Sequence, residues 1–426
     1  MSIEDTRAYR LSMINDRIRT LRKLIAWFII YSHVLTGCAV NDANSGAIKA
    51  GPQFSSSLDE ETPVTPNTVT ELDVIIPVFD PGLTEKAENY EEEGIWPELR
   101  RAEANRFAYK LKQALDESEA FGAVRVAPDS TASGDLYVLG KIKESDGEKI
   151  KFNLNVTDIS GKKWLDKDFN YTVEESFYKN VRKKGTDPYD PVFEQAANEI
   201  VQLLKGKDQK ELDNLKTIAD LRFGASFNDE AFMQYLSMNG DQFKLVSKPS
   251  DNDPMLQRIS VIRVREQMFI DNLQQSYSSF SSKMDESYLK WQEASFTEKK
   301  LREEAETEGA LKALGGLLLI GLAIAAATSG SSSGNLSDLK TTGVVASGVA
   351  GAWMLSSSFK SREEAELHKD AIDELGESIN IEIAPQVMNF EEETLLLTGD
   401  VQEQFSQWRS FLRRIYEQET SPSMQF

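Results

Sequence analysis

Apolar residues crowd into LDVIIPVFDP (72–81), a short β-rich run that stops at Asp80-Pro81-Gly82, a turn signal. From Pro97 the spacing changes. Leu99, Ala102, Phe107, Leu111, Ala114 and Leu115 recur at helical intervals, and Pro97 suits a first helical turn. Strands are predicted at 121–126, 135–143, 149–157 and 163–173, with turns at Ser145-Asp146-Gly147 and Ser160-Gly161. Phe152, Leu154 and Val156 alternate with polar residues, the period of a half-buried antiparallel strand. Phe193, Ala196, Ala197, Ile200, Leu203 and Leu204 predict a helix over 190–205. Together these form a small α+β domain over 71–205, with helices on one face of a mostly antiparallel sheet.

Residues 206–308 read as a helical region. Phe269, Leu273, Tyr277, Phe280, Met284, Tyr288 and Trp291 make one long apolar stripe with a near eleven-residue period. A single helix over about 256–308 would be roughly 75 Å long. Such a stripe serves as a stalk or oligomer seam, or it packs inside the chain's own bundle; the second is the expectation. The pattern then loses its charges. Residues 309–330 and 341–359 are uncharged apart from Lys312 and flank a polar Ser/Gly turn, so 309–359 reads as a Gly/Ala-rich helical hairpin that is apolar all round. Gly315, Gly316, Gly321 and Ala325 on one arm, and Gly343, Ser347 and Gly351 on the other, let backbones approach closely. Three placements satisfy such a hairpin: insertion in a membrane, packing against further copies in an oligomer, or the core of a helical domain. Membrane insertion is the expectation.

Over 360–426 a charged helix (360–378) is expected to return antiparallel to the long one, with His368 as a solvated surface residue. A β-β-α unit follows: a strand on Ile379, Ile381 and Ile383, a second on Thr394–Thr398, and a helix capped at Gly399-Asp400. Val401, Phe405, Trp408, Leu412 and Ile415 form its core face, and Arg409, Arg413 and Arg414 sit toward its C-terminus.

Composition narrows the chemistry. The chain carries a net charge of −21 over 426 residues, which repels nucleic acid and favours basic partners. Its single Cys and two His leave little for thiol or histidine catalysis or for a metal centre, and no phosphate loop or nucleophile elbow is present. No catalytic residue, metal or cofactor is therefore expected, and a hydrolase built on Ser or paired carboxylates is the disfavoured alternative. The one candidate partner loop follows the first strand: Asp80, Tyr90, Glu91, Glu92, Glu93 and Trp96, acidic with two aromatics.

The N-terminal pattern fixes the expected address. Arg17, Arg19, Arg22 and Lys23 precede a largely apolar run, Leu24–Val34, and small residues follow: the layout of a secretory signal over 1–37, too short for a permanent span. Residues 38–70 are rich in Ser, Thr, Asn, Pro and Gly and read as a flexible tether with a span of roughly 30 Å. Leu35-Thr36-Gly37-Cys38 resembles the lipobox of bacterial lipoproteins. The resemblance implies cleavage before Cys38, acylation of Cys38, and, because Ala39 is not the retaining aspartate, an outer-membrane protein facing the periplasm. The layout of 71–205 more weakly resembles the periplasmic α/β domains of outer-membrane lipoproteins, and 309–359 resembles their glycine-zipper hairpins. The expected role is a non-enzymatic scaffold or accessory of an envelope machine, contacting the membrane through Cys38 and the hairpin and contacting other envelope proteins. The alternative is an oligomeric membrane-inserting or pore-forming component.

Overall fold

Strand β1 (Val74–Pro77) is buried at every position, as a strand inside a parallel set must be. In the computed structural model, residues 70–84, 90, 95–250, 252–307, 362–390 and 393–420 are described. Cys38, the hairpin 309–359 with Gly315, Gly316, Gly321, Ala325, Gly343, Ser347 and Gly351, and Glu91, Glu92 and Glu93 lie outside them.

After β1, helix α1 (Pro97–Asp116) crosses back to β2 (Val124–Ala127). Three long strands follow: β3 (Leu136–Ser145), β4 (Lys149–Asp158) and β5 (Lys163–Thr172). The sheet order is β2-β1-β3-β4-β5. Strand β1 runs parallel to both β2 and β3, while β3-β4-β5 form an antiparallel meander. The sheet is thus mixed, where the sequence pattern predicted it mostly antiparallel. The helix between β1 and β2 is the crossover that makes that half parallel. Val138, Ile142, Ile150, Phe152, Leu154 and Val156 turn inward under α1 and α3 (Asp190–Lys205), where Phe193 meets Phe107 and Phe152 at 5.4 Å between ring centres.

The β3–β4 turn needs its glycine. Gly147 has φ +83, and a Cβ there would fall 2.7 Å from Ser295 Cβ and 2.8 Å from Gln292 O of the long helix. Gly147→Ala is therefore expected to cost about 2 kcal/mol or more, read as a lower urea midpoint of the full chain. A change no greater than that of an exposed substitution would show that turn and helix are not pressed together.

Residues 206–252, read as helical, contain more than helix. Beyond the short α2 (Glu175–Lys179), helices α4 (Gln209–Ala225) and α5 (Asp229–Met233) lead into a hairpin, β6 (Leu236–Asn239) and β7 (Gln242–Leu245). Its two-residue loop begins at Gly240, φ +63, after Asn239, a hairpin signal that the helical reading passed over.

The long helix α6 is continuous over Pro254–Thr307, 54 residues. Asp253 caps it by accepting from the backbone of Met255 (2.8 Å) and Leu256 (3.2 Å). Its whole predicted stripe, Phe269 to Trp291, is buried in the chain's own core. Helix α7 (Arg362–Leu375) returns along α6, and β8 (Gln386–Phe390), β9 (Glu393–Leu397) and α8 (Val401–Thr420) close the fold. The cap at Asp400 and the face Val401, Phe405, Trp408, Leu412, Ile415 are as the pattern predicts: Asp400 accepts from Glu403 N at 2.8 Å and all five side chains are buried. The isoleucine segment 379–383 is not a strand. Its carbonyls are taken by Asn105 Nδ2 (on Ile379) and Val401 N (on Ile381), so it keeps a lone bridge, Glu382 to Asp400, and the ladder forms at 386–390 instead. The fold is α+β, and one hydrophobic cluster runs from Leu72 to Tyr416 through the sheet, the long helix and the C-terminal helix.

Candidate functional site

A long helix that leads into an uncharged segment must be held by something, and here polar contacts hold α6 along most of its described length. Arg263 reaches Asp220 (2.6 Å) and Asp135 (3.2 Å). Glu266 accepts from Ser133 N (2.9 Å) and pairs with Arg409 (3.1 Å). Asp271 takes Arg125 in a two-pronged pair at 2.5 and 3.0 Å. Gln274 does what a neighbouring strand would do: its side chain accepts from Val126 N (2.9 Å) and donates to Val126 O (2.8 Å), satisfying the free edge of β2. Further along, Ser295 Oγ donates to Asp146 O (2.8 Å), and Lys299 and Lys300 reach Glu148 (2.8 and 2.7 Å). From Arg263 to Lys300 these contacts span about 55 Å of helix axis.

The centre of this row is a buried cluster. Arg106 of α1 is 1% exposed and binds Asp187 (2.8 Å), Asp285 (2.5 Å) and Ser281 O (3.1 Å), with its guanidinium 4.7 Å from the Tyr288 ring centre. Burial alone would raise the Asp187 carboxyl, but the charges of Arg106 and Lys110 override it and hold that carboxyl below its usual range. Gln292 donates to the other Asp187 oxygen at 3.1 Å. One turn before Arg106, Glu103 is fully buried, accepting from Tyr288 Oη (2.8 Å) and Ser145 Oγ. Burial pushes its carboxyl up to about 7, against the charge of Arg100 and those two hydrogen bonds.

A carboxyl poised near 7 is what a general acid or base requires. Access is missing. The grooves of about 840, 470 and 290 Å³ among the described residues are lined by other side chains. The cluster joins α1, the β3–β4 turn, the 187–190 segment and α6, and its chemistry is that of a clamp. Sequence reasoning missed it because Glu103 and Arg106 fall among the apolar positions of α1, where only a helix buried on several sides would place them.

The return helix is held as firmly. Ala365, His368 and Ile372 form its buried face. His368 lies 3.0 Å from Ser287 Oγ, and Lys290 stands 4.0 Å from Glu364, so α7 runs antiparallel to α6. The expected solvated histidine is thus a packed one, enclosed because α7 lies down on α6. Of the candidate loop, the two aromatics are packed in a similar way. Trp96 is 5% exposed and donates from Nε1 to Asp373 (2.8 Å), with Lys369 5.7 Å above its ring. Tyr90 is 9% exposed, its hydroxyl donating to Thr84 O. Asp80 pairs with Lys141 at 2.8 Å. Trp96 therefore fastens α7 to α1, and Arg101 adds a hydrogen bond to Gly376 O at 2.6 Å.

Among the described residues no group of His, Cys, Asp or Glu could hold a metal ion, and no helix is long and apolar enough to cross a membrane. Comparison with protein families, with curated proteins and with solved structures returned no match to this chain.

Proposed function

We propose that this chain is a lipid-anchored envelope protein, acylated at Cys38 on the periplasmic face of the outer membrane, that works as a non-enzymatic scaffold within an envelope machine. What supports the reading is the bracketing of the apolar segment 309–359. The helix that enters it is tied to α1 through Arg106 and to the sheet through Arg125, and the helix that leaves it is pinned to both α6 and α1. A folded body that grips both ends of such a segment is suited to presenting it, to a membrane or to partner proteins, at a fixed angle. Arg106 and Asp187 bind each other, and Glu103 is enclosed between the Tyr288 and Ser145 hydroxyls, which favours a structural role.

Labelling with a radioactive fatty acid in the native host tests the anchor. The chain is expected to take up label and to enter the outer-membrane fraction, and Cys38→Ser is expected to abolish the label. An unlabelled wild-type chain would end this reading. Alkaline carbonate then separates scaffold from hairpin insertion: Cys38→Ser protein that stays in the pellet is held by residues 309–359, and protein that is released had only its acyl chains.

A further inference from the structure

Between β5 and α3 the chain makes a tip of unusual composition. Helix α2 ends at Lys179, Asn180 caps a tight turn by accepting from Arg182 N (3.1 Å), and the turn carries Val181, Arg182 and Lys183, with Lys184 next. Residues 179–186 are all exposed, and Val181 is exposed to 86%. Lys179 pairs with Glu175 of its own helix, while Arg182 and Lys184 meet no carboxylate among the described residues. Four cations within six residues, around a bare valine, stand out in a chain of net charge −21.

The tip is not a slack loop. Tyr178 at its start packs on Phe296 of α6 (4.8 Å between ring centres) and donates to Gly147 O (3.3 Å). Asp187 at its end is bound to Arg106 in the clamp. The first root is therefore fixed to the C-terminal third of α6, and the second meets the same third through Gln292, which donates to Asp187 at 3.1 Å. From Phe296 to the last described helical residue, Thr307, is about 16 Å along the axis, and the uncharged run begins just beyond.

We infer that residues 179–184 are a docking surface for an anionic phospholipid membrane, with Arg182, Lys183 and Lys184 meeting headgroup phosphates and Val181 entering the interface. Charge complementarity selects this occupant. The body of the protein is acidic and is repelled by such a surface, so a local cationic tip is what lets it approach. An exposed valine between cations gains by burial at an interface and gains nothing from a soluble polyanion. The inference rests on the membrane-anchored reading above and names the lipid class that reading leaves open.

The test uses the mature chain from position 38 onward with Cys38→Ser, mixed with vesicles of phosphatidylcholine alone or with added phosphatidylglycerol, and reads co-flotation. Binding is expected to rise with phosphatidylglycerol and to fall as salt is added. The triple change Arg182→Gln, Lys183→Gln, Lys184→Gln should lower the phosphatidylglycerol-dependent part roughly 100-fold, at about fivefold per charge. Val181→Ser should lower it several-fold while leaving retention on heparin unchanged. All four positions are exposed, so an unchanged urea midpoint serves as the folding control. A phosphatidylglycerol-dependent gain that survives the triple change overturns the inference. So does Val181→Ser binding that is unaltered, which would assign the cations to a soluble polyanion. Absence of binding to either vesicle, with labelled Cys38 also absent from the wild type, would instead remove the membrane reading itself.

Discussion

Replacing Arg106 by methionine is expected to destabilise the folded chain by about 3–5 kcal/mol, the loss that follows when one partner of a buried ion pair is removed. The reason lies in what stays behind. Asp285 is half exposed and rehydrates, but Asp187 is 3% exposed and keeps only Lys110 (3.9 Å), Gln292 (3.1 Å) and Tyr189 N (3.0 Å). A carboxylate held low by Arg106 then carries its full burial cost. Against a total stability of about 5–15 kcal/mol for an ordinary domain, this is a large share. Adding Asp187→Asn to Arg106→Met should return about 2 kcal/mol, because the stranded charge is gone, and the two changes should be strongly non-additive. Urea unfolding of the full chain in detergent, followed by tryptophan fluorescence, provides the measurement. Trp291 reports on the spot itself, stacked 5.3 Å from Tyr288. A loss below about 1 kcal/mol would place the pair among ordinary surface ion pairs and dissolve the clamp.

Why the clamp was hidden while much of its frame was legible follows from what residue periodicity encodes. Alternation at Phe152, Leu154 and Val156, and the stripe from Phe269 to Trp291, record one face against one core, and both are buried as their spacing requires. The helix over 190–205 and the Asp400 cap depend on contacts close in sequence, and they too could be read. Pairings distant in sequence left no such mark. The parallel placement of β1 against β3 joins Val74 to Leu136, and nothing at either position specifies strand direction. His368 looked solvated because its sequence neighbours are charged, yet its partner Ser287 is on α6, 81 positions earlier. Trp96 belonged to an acidic stretch by sequence and to Asp373 by structure. Charged residues are ambiguous in a pattern, since the same Glu or Arg marks a solvated face or, when a second helix arrives, a buried pair. Glu103, Arg106 and Glu266 are all of the second kind.

Glu103→Gln is expected to alter how stability depends on pH more than stability at any one pH. In the unfolded chain a glutamate has its ordinary value near 4.5, whereas the folded chain holds Glu103 up at about 7 because burial disfavours its charge. Between those two values the unfolded state releases a proton that the folded state keeps. The Glu103 contribution is therefore full below about 4.5, declines as pH rises, and is lost above about 7, a change of about 3 kcal/mol from the linkage relation. The buried carboxyl of Glu266, also raised by desolvation, acts in the same direction. Carboxyls held low, such as Asp187 and Glu148, act oppositely and below this window. Glutamine keeps an acceptor for Ser145 and Tyr288 and cannot ionise. The variant should thus be less stable than the wild type, or equal to it, near pH 5 and should gain on it by about 3 kcal/mol by pH 8. Urea midpoints of both proteins across that range decide the matter, and parallel curves would mean that Glu103 ionises in place without cost. If the gain is found, the wild-type clamp on α6 loosens as the pH passes 7, and the segment it presents is held most firmly on the acid side.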